Sequence, residues 1–550
     1  MSANLQHLMT TADLAHLSPF EIKDELIRIA RDKSAASTLQ FLNAGRGNPN
    51  WTATTPREAF FLLGQFALSE CKRDWDEPDL GGMPQKAGAA GRLRQFLSGA
   101  PGGLGNTLLA QSIEHCTRTL GIDGDDLVHE LADSIIGDNY PVPDRMLRHC
   151  ERIVHQFLMR EMCDDRPPGG KFDLFAVEGG TAAMCYIFNS LLINEILNPG
   201  DAIALGTPIF TPYIEMTHLS GFEAVHIAQS AMQEGVHTWR YPESELKKLE
   251  DPKIKAFFVV NPSNPASVAI DPEAQSRIVS LVKNKRPDLI VLTDDVYGTF
   301  VNGFRSLAAD LPRNTILVYS YSKHFGCTGW RLGVVGIHES NILDATLADM
   351  PASRRSRIAE RYSSLTLTPE KLKFIDRMVA DSRNVALNHT AGLSLPQQVQ
   401  MALFSLFALL DSDHSYKKRC QGIVRERLQG LVDGLGLQKL PDDPNRAGYY
   451  AVLDLEAWAR RTHGDAFMEW ATHTHVPLDI VLGLAKNYGT VLLNGDGFGG
   501  PPWSARVSLA NLPTEDYLKI GQHFAEGAHK AVARWRAAQS PGKPQGGNGS

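Results

Sequence analysis

Thr315-Ile316-Leu317-Val318-Tyr319-Ser320-Tyr321-Ser322-Lys323-His324-Phe325-Gly326-Cys327-Thr328-Gly329-Trp330-Arg331-Leu332-Gly333 decides the fold class of this 550-residue chain. Thr315 to Tyr319 is rich in β-branched and apolar residues, as a strand covered on both faces should be, and Leu332 opens a second such run to Ile337. Between them, Ser320 and Ser322 offer hydroxyl donors and Arg331 a planar fork matched to phosphate oxygens. The glycines let the backbone fold tightly. An amine such as that of Lys323 attacks an aldehyde efficiently when an anion anchor holds the aldehyde beside it. A single lysine after a strand is usually a solvated charge; the full Ser-x-Ser-Lys-x-x-Gly-x-x-Gly-x-Arg spacing is far more specific.

Working outward, the alternation of short apolar runs and helical patterns extends from about Phe172 to Ile337. Strand candidates are Leu174 to Val177, Ala202 to Leu205, Ala256 to Val260 and Leu289 to Thr293, with helices such as Pro272 to Lys283 between them. This predicts an α/β fold with a mostly parallel sheet covered on both faces, its chemistry gathered at the carboxyl ends of the strands. Glu178-Gly179-Gly180-Thr181 follows one strand and opens a helix with Met184, Ile187, Phe188, Leu191 and Leu192 on one face, so free N–H groups can meet an anion there. Pro208-Ile209-Phe210, Asn261-Pro262-Ser263-Asn264-Pro265 and Asp294-Asp295-Val296-Tyr297 follow the next strands. Each alone would be an ordinary turn, a core aromatic or a solvated carboxylate pair. Their order along one sheet changes that weighting.

With these motifs in place, the chain resembles the class I/II aminotransferases, the fold-type I pyridoxal-phosphate enzymes, over roughly Leu42 to Leu512. The resemblance implies that Lys323 holds pyridoxal 5'-phosphate covalently. Gly179, Gly180, Thr181, Ser320, Ser322 and Arg331 then cradle its phosphate, and Phe210 stacks on its ring. Asn264 and Tyr297 reach the ring hydroxylate, and Asp294 keeps the pyridine nitrogen protonated so that the ring can accept electrons. Asp295 should lie behind the site, because neighbouring side chains on extended backbone point apart. Cys327, where the family usually has an aliphatic residue, should pack behind the loop. The resemblance further implies that Arg506, in Arg506-Val507-Ser508-Leu509-Ala510, clamps the substrate α-carboxylate. Gly47, in Asn43-Ala44-Gly45-Arg46-Gly47-Asn48-Pro49, would offer it backbone, and Arg46 is the candidate for a second carboxylate. Tyr140 is expected to reach the phosphate of a neighbouring subunit, making the active unit a two-fold homodimer.

The chain's length, with extra material at Gly81 to Gly105 and Leu347 to Arg383, the Asn43–Trp51 segment and the Ser320–Gly333 run together resemble the branch of that family that removes the β-carboxylate of L-aspartate as CO2 and leaves L-alanine. That branch keeps transamination as a minor activity and assembles dimers into larger oligomers, a dodecamer by resemblance. An ordinary amino-acid aminotransferase is the alternative. A non-enzymatic regulator would need a basic helix-turn-helix module, and the acidic chain and continuous family-like N-terminal part argue against it.

Composition agrees with this class. A formal charge of -7, from 55 Lys+Arg against 62 Asp+Glu, offers nucleic acid or anionic membrane nothing general to hold, so a small amino acid is the expected ligand. Seven scattered cysteines form no CxxC pair and read as free thiols in a reducing, cytoplasmic compartment. No run of eighteen apolar residues or signal-like N-terminus occurs. His473-Thr474-His475 lacks the further ligands of a metal site, and the GDGFGG run ending at Gly500 lacks the context of a nucleotide loop. Four parts are expected: 1–160 as an N-terminal segment contributing to a small domain; 161–394 as the large cofactor domain, with a helical surface insertion at about 347–383; 395–536 as the C-terminal small domain; and 537–550 as a disordered tail.

Overall fold

A computed structural model describes residues 17, 19–35, 39–384, 391–437 and 440–539. Its centre is a seven-stranded sheet of β1 (Phe172–Val177), β2 (Ala202–Thr207), β3 (Glu223–Ala228), β4 (Ile254–Val260), β5 (Ile290–Asp294), β6 (Thr315–Ser320) and β7 (Gly333–His338). The spatial order is β1-β7-β6-β5-β4-β2-β3, parallel throughout except that β7 runs antiparallel to both neighbours. The sequence reading locates every strand but β3. That strand is the sheet edge, partly exposed along most of its length, so Glu-Ala-Val-His-Ile-Ala carries no continuous apolar run.

Strand direction builds the site. The loops after β1, β2, β4, β5 and β6 all leave from one edge, and β7, being reversed, begins there. Register pairs Gly333 with both Ser320 and Val177, so the loop preceding β7, with Arg331, lies between the Lys323 loop and the Gly179 turn.

Packing redraws the domain boundaries expected at 160 and 395. Helices Thr55–Asp74, Ala89–Gly99, Leu104–Arg118, Gly124–Ile136 and Arg148–Cys163 share one hydrophobic core with the sheet and with Leu395–Leu410. Only Pro19–Ala35 and the Leu42–Ala44 segment join the C-terminal core, where Ile22, Leu26 and Leu42 meet Val481, Val507 and Phe524. The reason lies in their apolar stripes: Leu63, Phe66 and Ala67, for example, are fully covered by neighbours in the large core.

The stretch expected as a surface insertion also divides. Helix Phe374–Arg383 is largely buried, with Phe374, Ile375, Met378 and Val379 against the sheet-covering helix Gly180–Ile193, while Ala352–Glu360 is mostly exposed. Charge misled the reading, because Arg377 and Asp381 are buried inside a network with Asn194 and Tyr362. Within the extra material at Gly81 to Gly105, helix Ala89–Gly99 forms, preceded by a small hairpin at residues 76–81. At the other end, helix Asp516–Gln539 runs past 537; residues 540–550 of the expected tail lie outside the described residues. Among the described residues no helix is long and apolar enough to cross a membrane.

A second sheet of β8 (Tyr450–Asp454), β9 (Leu493–Asn494) and β10 (Ser504–Ser508), in the order β8-β10-β9, carries Arg506 on its central strand. Leu42–Asn43 pairs in parallel with Thr490–Val491, and Ser508 N–H donates to the Ala44 carbonyl, which anchors the Gly45–Asn48 loop beside Arg506.

Candidate active site

A cavity of about 220 Å³ lies where the large sheet's carboxyl edge meets β8 and β10. One end is anionotropic. Gly180 and Thr181 line it at the start of a fourteen-residue helix whose first N–H groups lack intrahelical partners, together with Ser320, Ser322, Thr328 and Arg331. Ser320 Oγ donates to Ser322 Oγ at 3.0 Å, and the Arg331 guanidinium is held by the Glu178 and Thr328 carbonyls at 3.2 Å each.

Gly179 differs from the expectation. It is not part of the cavity wall, and its N–H is used by the Val177 carbonyl at 2.8 Å. Glycine is required for another reason: φ is +92°, and a Cβ would stand 2.5 Å from Arg331 Nη2. Gly179 therefore makes room for the arginine.

Midway along the cavity are Lys323, Asp294, Phe210, Asn264 and Tyr297. Lys323 Nζ donates to the Gly47 carbonyl at 3.1 Å. Asp294 is buried, which pushes its pKa up; a hydrogen bond from Tyr213 Oη at 2.6 Å, the Val296 N–H and the charge of Lys323 oppose that rise. Its neighbour Asp295 points the other way, into the protein. There Thr293 donates to Oδ1, Oδ2 has no partner, and burial pushes the pKa up to about 7. His324 likewise turns from the site into an aromatic shell of Phe300, Phe325 and Tyr416, and burial lowers its pKa to about 4. Cys327 is buried and donates to the Tyr321 carbonyl, away from the cavity.

Arg506 closes the far end. It is 1% exposed, with Nη1 donating to Asn264 Oδ1 at 3.1 Å and Nη2 to the Gly45 carbonyl at 2.8 Å, while Nε has no partner. No carboxylate of the chain pairs with it among the described residues; the Tyr450 and Phe498 rings flank it at 4.4 and 4.8 Å. A buried guanidinium without a counter-charge is a strong receptor for a carboxylate from outside. Gly47 is in the wall too, but its carbonyl is engaged by Lys323 and by Tyr449 Oη at 2.9 Å.

Two expected residues are not brought to this cavity. Arg46 is exposed and absent from the wall, and the expected contact with a second carboxylate is not made within the chain. Tyr140 is 67% exposed and also outside its own chain's cavity. Seven wall residues were not among the expected site residues: Phe20, Asn48, Tyr213, Val260, Val296, Thr328 and Tyr450. Tyr213 follows Phe210 by three positions at a helix start, and that spacing could have suggested it. Tyr450, whose Oη lies 3.0 Å from Tyr297 Oη, and Phe20 come from the two ends of the chain with no local signal.

Comparison with known proteins agrees with this geometry. The family model Aminotransferase class I and II matches residues 177–524. A Pseudomonas protein, "Bifunctional aspartate aminotransferase and L-aspartate beta-decarboxylase", is 47% identical over 526 residues, 95% of this chain and 98% of that protein. The crystal structure of the aspartate aminotransferase from Rhizobium meliloti superposes with a TM-score of 0.58 at 16% identity, covering 96% of this chain and 99% of that one. An aromatic aminotransferase from Pyrococcus horikoshii gives 0.55 at 16% identity over 92% and 99%. These structures establish the fold, that of fold-type I transferases.

Proposed function

The chain belongs to the class I and II aminotransferase family, and on that premise we propose that it is a pyridoxal-phosphate enzyme that removes the β-carboxylate of L-aspartate, giving L-alanine and CO2, with transamination as a minor outcome. Members of the family are pyridoxal-phosphate-dependent. The observation that carries the reading is one cavity joining a buried arginine that has no carboxylate partner among the described residues, an amine and a buried carboxylate to an anion cradle. Near-complete coverage of the Pseudomonas relative, whose name gives both activities, supports the choice of substrate.

The residues fit the cofactor. Gly180, Thr181, Ser320, Ser322 and Arg331 would bind its phosphate, Phe210 stack on its ring, and Asn264 and Tyr297 donate to its ring oxygen. Lys323 would hold its aldehyde carbon. When bound, the cofactor supplies an electron sink conjugated to the substrate nitrogen. Asp294 holds the proton at the pyridine nitrogen, and Tyr213 fixes the carboxylate for that task. Arg506 binds the α-carboxylate through its guanidinium. Lys323 Nζ, released when the substrate amine takes its place, moves the proton from Cα. The bond from Cβ to its carboxylate then breaks, the electron pair stays on Cβ, a proton is added there, and Lys323 Nζ returns a proton to Cα as alanine forms.

Exposed Tyr140 supports a homodimer in which it serves the partner's phosphate site, and the resemblance supports assembly into larger oligomers. Seven free thiols, six of them buried, support a cytoplasmic location. The test is to incubate the purified enzyme with L-aspartate and to measure CO2, alanine and keto acid. Alanine and CO2 in equal amounts support the reading; stoichiometric oxaloacetate, with no CO2 beyond its spontaneous decay, makes the protein an aspartate aminotransferase instead.

A further inference from the structure

Phe20 stands at the boundary between the cavity and solvent. It lines the cavity, is partly exposed, and bridges the two functional ends: its ring meets Phe210 edge-on at 5.6 Å and Phe498 at 6.1 Å, and Arg506 lies 5.9 Å away. The helix that carries it, Pro19–Ala35, is seated by the glycine-rich run 495–500 for which the sequence offered no role. A Cβ on Gly497 would stand 2.2 Å from Pro19 Cγ, so only glycine admits the helix start. That run is itself tied down: Thr211 Oγ1 donates to the Gly497 carbonyl at 2.7 Å and Ile209 N–H to the Phe498 carbonyl at 2.8 Å. Two aromatic rings that line the cavity, those of Phe20 and Phe210, together with the buried Phe498 ring against Phe20, thus form one apolar cluster beside the arginine.

We propose that this cluster, with Phe20 seated through Pro19 on Gly497, determines the fate of bound aspartate by excluding water from the substrate end of the cavity. The proposal rests on the decarboxylase reading above. The two outcomes differ in their need for water. Release of the keto acid consumes one water at Cα, whose oxygen becomes the keto oxygen, while the amino group stays on the cofactor. Release of alanine consumes no water: the bond from Cβ to carboxylate breaks, CO2 leaves, the electron pair remains on Cβ and one proton joins it. An apolar wall between bulk solvent and Cα slows the first and leaves the second untouched. Phe20 is accordingly a specificity-determining residue that takes no part in proton transfer.

The experiment uses the holoenzyme in two measurements. First, the ratio of keto acid to alanine formed from L-aspartate is compared between wild type, Phe20→Leu, Phe20→Ala and Gly497→Ala. The last variant keeps the ring but unseats the helix. Expected is a ratio that rises about tenfold in Phe20→Ala and Gly497→Ala and less in Phe20→Leu. Second, the cofactor is fixed on the enzyme by borohydride and its fluorescence is quenched with acrylamide, a reading independent of turnover. The quenching constant should at least double in the variants that raise the ratio. An unchanged ratio in both Phe20→Ala and Gly497→Ala overturns the proposal, as does a changed ratio without increased quenching. Failure of the decarboxylase reading is a separate result, seen in the wild type alone as oxaloacetate without CO2.

Discussion

The two ends of the cavity are built in opposite ways. The cofactor end is made by turns that each follow a strand of one sheet, from Gly180 to Arg331, and each functional side chain is placed by the few residues around it. The substrate end brings together Phe20 and Gly47 from one end of the chain with Tyr450 and Arg506 from the other, joined through a second sheet and a parallel pairing of Leu42–Asn43 with Thr490–Val491. On the proposed reading, the first arrangement would hold the cofactor by local geometry, and the second would let substrate choice and water access vary without disturbing it.

If that separation holds, removal of Lys323 has the largest effect. Lys323→Ala should reduce turnover by at least about 10⁴-fold. Borohydride reduction of the wild type followed by peptide mapping should place the cofactor on Lys323, and an adduct on any other lysine refutes the assignment.

The neighbouring aspartates sharpen the contrast within the cofactor end. Asp294→Ala should cost about 10³-fold in solvent-deuterium exchange at Cα, because only that carboxylate faces the cavity. Asp295→Ala should cost about tenfold at most. Equal losses would mean that the two side chains exchange roles on cofactor binding.

Across the cavity, Arg506→Ala should lower kcat/KM for aspartate by about 10²-fold, the loss of a charge-assisted pair. The cofactor's absorption band should be retained. Loss of the band together with activity would break the proposed independence of the two ends.

The smallest effect concerns stability. Asp295 has its folded pKa raised to about 7 by burial, so the folded chain keeps a proton that the unfolded chain releases above the ordinary aspartate range. Its contribution to stability is present at low pH and lost as pH rises through about 7. Asp295→Asn carries no such charge and should therefore gain on wild type between pH 5 and pH 8, by roughly 2 kcal/mol, given that one pKa unit corresponds to about 1.4 kcal/mol. Parallel denaturation curves at the two pH values would show that Asp295 is not strained by burial.

Sequence alone makes the large sheet legible, together with most of the cavity wall proposed to hold the cofactor. Strands buried on both faces announce themselves as apolar runs, and in a parallel sheet the residues that follow them must share one edge; Lys323, Asp294, Asn264 and Phe210 were legible for that reason. Arg506 was legible through a family motif. Only the tertiary structure decided the rest. It used the N–H of Gly179 elsewhere and turned Arg46 to solvent. Helices from 55 to 163 went into the large core, Phe374–Arg383 was buried in spite of its charges, and Phe20, Tyr213 and Tyr450 were brought to the cavity. Local spacing fixes which way a side chain leaves its own strand or helix. Which distant surface it meets depends on how whole elements pack, and that information is spread over all the residues that bury them.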